Sequence, residues 1–145
     1  MKILGHPLHV MLIHFPTALL PTDLILSFLF YRTGDVSFGS AAFFCLLGGV
    51  IAGWLAAVTG FIDLALIRNN KTATNAAFLH GGINAISLMA FSVFAYKGWK
   101  LYPTVQEPSS LVLGVKLFFV LFLLIGNYLG GRLIFKHHIG IQSYE

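Results

Sequence analysis

Six histidines, His6, His9, His14, His80, His137 and His138, offer the most chemistry in this 145-residue chain. A neutral imidazole ligates metals through either ring nitrogen and exchanges protons near neutral pH. Three of the six crowd one short stretch, GHPLHVMLIHFP at 5–16, beside two prolines. Bis-histidine ligation of haem b needs one imidazole from each of two facing helices, apolar walls, and cations for the propionates. A non-haem iron, copper or zinc site instead gathers three or four His and carboxylate ligands.

The elements that must position these residues are membrane spans. The chain is 57% hydrophobic and 10% charged, where a soluble domain carries roughly 25% charged residues. Its mean hydropathy is +0.84. Four apolar runs, at 10–31, 41–67, 76–96 and 111–135, reach the roughly 20 residues that cross the hydrocarbon core. In lipid the backbone must satisfy its own hydrogen bonds, so each run is a helix. Polar, Gly and Pro residues separate them, with Asn75 and Ser109 or Ser110 as expected N-caps. The expected fold is all-α: one integral membrane domain over 1–145, an up-down four-helix bundle with both termini on one side.

That terminal side, side A, receives all six histidines. Side B holds the 32–40 and 97–110 loops. Counting along the helices places His14, Asp63, His80 and Arg132 three or four residues inside the side-A ends. At 1.5 Å per residue all four lie roughly 5–6 Å deep. Each helix thus contributes one ionisable residue to one layer, and such residues in a membrane mark a site by default. His80, Asn84 and Ser87 share a helix face, and Thr59 lies one turn from Asp63.

For haem b, His14 and His80 are the first axial pair, with His9 and His137 in reserve. Asn84 would orient an imidazole and Arg132 would meet a propionate. For a non-haem iron, copper or zinc ion the ligands would be His9, His14, His80 and Asp63, although Arg132 in the same layer opposes a divalent cation. A third reading is a hydrogen-bonded network that fixes helix register, with Asp63 paired to Arg132.

Other features point to structure. Asp23 lies deep in the first helix, and Lys116 enters the fourth from side B with the reach to meet it, so the two are expected to pair. Gly49-x3-Gly53 and Gly126-x3-Gly130 allow close helix packing within the bundle. Cys45 is remote from every histidine and the serines lack a GxSxG motif, which leaves a hydrolase unsupported. The net charge of +4 is thinly spread, which excludes nucleic acid and suits a bilayer surface. Lys and Arg divide almost evenly between the sides, leaning towards a cytoplasmic side A. The prolines and histidines near the start also argue against a cleavable signal peptide.

The segments GHPLHVMLIHFP, TGFIDL at 59–64, HGGIN at 80–84 and GNYLGGRLIFKHHIGI at 126–141 resemble a bacterial family of small four-helix membrane proteins, domain of unknown function 2231. The family pattern falls on His6, Pro7, His9, His14, Pro16, Asp63, His80, Gly130, Gly131 and His137. His138 stands where the family usually has glycine, and Arg132 where an acidic residue is common. Relatives occur fused to, or encoded beside, Rieske-type or c-type cytochrome domains. The resemblance therefore implies electron transfer with a redox or respiratory-type membrane partner in the bacterial inner membrane. The expected function is a haem b electron-transfer or anchor subunit rather than a stand-alone enzyme, with a homo-oligomer left open. The alternatives are a non-haem metal-binding membrane protein and a structural subunit of a larger complex.

Overall fold

The computed structural model describes residues 2–3, 6–65 and 71–137, with side chains placed for 8–65 and 71–135. A two-residue antiparallel pairing, β1 (Lys2–Ile3) with β2 (His6–Pro7), leads into a short helix α1 (Leu8–Leu12). Four long helices follow: α2 (His14–Thr33), α3 (Val36–Ala65), α4 (Lys71–Leu101) and α5 (Ser110–His137). Windows beginning at Leu8, Val36, Lys71 and Ser110 are long and apolar enough to cross a membrane.

The helices overrun the apolar stretches, because polar end turns stay helical where water or headgroups are within reach. Thus α4 begins at Lys71, and Asn75 lies inside it rather than capping it. Ser109 does cap α5: its Oγ accepts Val112 N–H at 3.3 Å and its carbonyl accepts Leu113 N–H at 3.1 Å. Only Gly34 and Asp35 join α2 to α3. Gly34 takes φ +70°, a left-handed conformation that glycine adopts without steric cost, and its N–H donates to Phe30 O at 2.8 Å. Asp35 then opens α3, its Oδ1 accepting Ser37 N–H at 2.9 Å and Ser37 Oγ–H at 2.6 Å.

Cross-helix contacts fix the topology. Leu20 of α2 lies against Gly49 of α3, and Phe30 against Gly39. Leu88 of α4 meets Gly53 of α3, while Gly98 meets Phe43. Asn84 meets Gly126 of α5 and His80 meets Gly130. On α2, Thr17 bonds Asn127 and Asp23 bonds Lys116. In every pair one number rises as the other falls, so neighbours run antiparallel and α2 and α5 close the ring. In the α2–α3, α3–α4 and α4–α5 pairs a glycine lets the larger side chain seat on backbone.

Solvation is inverted relative to a soluble bundle. Phe61, Phe78, Leu111, Tyr128 and Phe135 are exposed, while Asp23, Ser27, Thr59, Ser87 and Lys116 are buried. Leu20, Leu46, Val50, Leu88, Phe91, Val120 and Leu123 fill the centre. This is the distribution a lipid solvent selects. Tyr31, Tyr96, Trp99 and Tyr102 gather at the side-B end, as interfacial aromatics do.

Candidate functional site

The side-A end brings two imidazoles together, and they are His9 and His80. Their ring centroids are 6.4 Å apart with the planes 81° to one another. His9 projects from α1 onto α3, where its Nδ1 meets Ala56 O at 2.8 Å. Thr59 Oγ donates to the same carbonyl at 2.9 Å. His80 projects from α4 onto α5, where its Nδ1 meets Gly126 O at 2.7 Å.

A carbonyl oxygen only accepts, so Nδ1 carries the hydrogen in both rings. Each neutral ring therefore keeps its lone pair on Nε2, the tautomer that a metal-binding imidazole needs. Glycines make room for both. A Cβ on Gly60 would stand 2.8 Å from His9 Cε1, and one on Gly130 would stand 2.6 Å from His80 Cε1.

Asn84, one turn along α4, donates from Nδ2 to His80 O at 3.0 Å. The same nitrogen lies 3.1 Å from His80 Nδ1. The amide is oriented on its contact with the His80 carbonyl, while the Nδ1–H beside it is taken up by Gly126 O. Its Oδ1 is then buried without a partner, directly over Gly126.

The other expected members lie elsewhere. His14 is exposed and its Nδ1 turns back to Met11 O at 3.3 Å. Arg132 is exposed on the outer surface of α5, and no carboxylate among the described residues lies within ion-pair distance of it. Asp63 is half-buried and engaged in an interaction of its own. Among the described residues no three His, Cys, Asp or Glu side chains gather into a metal-binding group. The set of His9, His14, His80 and Asp63 is therefore corrected to a pair. Depth alone groups the four, but His9 and His14 are five residues apart and point about 140° from one another on a helix. His138 and the side chains of His6 and His137 lie outside the described residues.

The second polar cluster fulfils its sequence expectation. Lys116 Nζ lies 2.7 Å from Asp23 Oδ1 and 2.9 Å from Ser27 Oγ, and 5.8 Å from the Phe94 ring centroid. Ser27 Oγ also donates to Asp23 Oδ1, at 3.2 Å. Asp23 is 0% exposed and its Oδ2 has no partner.

An antiparallel ring of spanning helices, apolar outside and polar within, defines an α-helical integral membrane protein. The chain belongs to the family described as predicted membrane protein (DUF2231), whose model matches residues 5–143. No curated protein and no solved structure matches it.

Proposed function

We propose that the protein is a membrane redox subunit that holds a haem b at the side-A end, with His9 and His80 as axial ligands. The supporting observation is the pair of imidazoles 6.4 Å apart, each tied by Nδ1 to a backbone carbonyl. Metal-ligating histidines are commonly oriented by such a second hydrogen bond. Asn84 Oδ1 is an acceptor that still wants a donor. The haem would supply one-electron chemistry, while the chain supplies the ligand pair and an apolar surround.

A second reading has its own observation. Gly60 and Gly130 hold the two rings closely, which suits one bare iron, copper or zinc ion at about 2.0–2.1 Å from each nitrogen, with further ligands from outside the pair. For a haem, iron or copper centre the working partner would be a redox protein of the same membrane, the bacterial inner membrane. With Lys116 neutralised by Asp23, Lys2, Arg68, Lys71, Arg132 and Lys136 on side A outweigh Arg32, Lys97 and Lys100 on side B. On the positive-inside rule that count favours a cytoplasmic side A, and a reporter fused after Glu145 tests it.

The test of the site is a visible spectrum and elemental analysis of protein purified in mild detergent. A Soret band is expected in the unmodified protein and in His14→Ala, and is lost in His9→Ala, His80→Ala and Gly130→Val. A band that persists in both His9→Ala and His80→Ala overturns the assignment. Stoichiometric iron, copper or zinc without a Soret band selects the bare ion. If neither group is bound, the pair is structural.

A further inference from the structure

Arg132 lies three residues before Phe135, which ends the apolar window of α5. It faces outward with Tyr128 and Phe135, which are 68% and 81% exposed. These three and Gly131 line a shallow, open groove on the outer face of α5. At Gly131 a Cβ would meet nothing within 4 Å, so the groove has a floor but no filling. Among the described residues the guanidinium has neither a carboxylate nor a hydrogen-bond acceptor.

A bare cation one turn inside the apolar boundary is costly, and the arginine stem lets its head rise to the phosphate layer. A guanidinium fork grips a phosphate through two parallel N–H···O bonds, which gives direction as well as charge. We propose that this groove holds one acidic phospholipid, its phosphate on Arg132 and an acyl chain over Gly131 between Tyr128 and Phe135. The lining carries a cation and no described anion, so nothing in it pairs with the ammonium of a zwitterionic headgroup. The site is separate from the imidazole pair and does not depend on what that pair binds.

Native mass spectrometry of the full chain, titrated with phosphatidylglycerol or phosphatidylcholine, tests the proposal. One phosphatidylglycerol is expected to remain bound, about tenfold more weakly in Arg132→Gln, a loss of about 1.4 kcal/mol. Arg132→Lys, which keeps the charge but not the fork, should fall between. Gly131→Leu should block the acyl chain and abolish retention. All these positions face outward, so an unchanged melting temperature confirms that the variants fold. Equal retention of the two lipids, or equal retention in all variants, overturns the proposal. So does a dimer that dissociates in Arg132→Gln, because a second copy would then occupy the groove.

Discussion

His9 and His14 differ in sequence by five positions and in situation by everything that matters: one donates to the α3 backbone, the other turns back to its own. Depth was legible in the sequence because it follows from counting residues. Azimuth was not, because counting depth does not say which face of a helix meets its neighbours, and five residues turn His14 about 140° away from His9. The partner signal lay in the glycines. Gly130 reads as a packing residue and Gly60 carries no signal of its own, yet each accommodates an imidazole. Asp35 carries a sharper prediction at this scale. The Ser37 hydroxyl and N–H hold its carboxyl below the ordinary 3.8. A depressed value means that the cap is formed above the unfolded pKa and lost as pH falls through the folded one. An NMR titration of the Asp35 carboxyl should therefore give a midpoint below 3.8, moving upward in Ser37→Ala. A midpoint at or above 3.8 in the unmodified protein would contradict the cap.

At the scale of elements, α2 and α5 are joined at two levels. Asn127 Nδ2 donates to Thr17 Oγ1 at 3.1 Å near side A, and Lys116 bonds Asp23 and Ser27 deeper in the bundle. These two links differ in weight. An interhelical hydrogen bond in a membrane averages about 0.6 kcal/mol. Removing one partner of a buried ion pair costs about 3–5 kcal/mol, because the other charge is left stranded. Lys116→Met should therefore destabilise the detergent-solubilised protein by about that amount, and Asn127→Leu by much less. Adding Asp23→Asn to Lys116→Met should restore most of the loss. Equilibrium unfolding of the two single variants and the double reads the coupling directly. A double variant no better than Lys116→Met would show that the pair does not hold α2 to α5. The pairing itself was legible in the sequence, since few residues can satisfy a carboxylate at that depth.

For the whole molecule, the antiparallel ring separates two polar centres by an apolar layer. Leu20 lies between Thr17 and Asp23 on α2, Leu88 beyond Asn84 on α4, and Leu123 between Lys116 and Gly126 on α5, all three buried. Number and length of the spans were plain from hydropathy, since the hydrocarbon core sets a minimum length. Helix ends were less so, because interfacial turns have no such length constraint.

The reach of the ion pair, 93 residues along the chain, bears on biogenesis. Asp23 emerges from the ribosome in the first span, long before its counter-charge is made. The mean hydropathy of the first span is 1.5 and that of α3 is 2.2. With a two-residue link, α3 is placed to draw its neighbour into the bilayer as a hairpin. A chain truncated at residue 109 should consequently be cleared quickly by quality control, and the same truncation carrying Asp23→Asn should survive longer in a pulse–chase. Equal half-lives would remove this reading. Lys116 then serves as a completion mark: α5 settles the charge left open by α2.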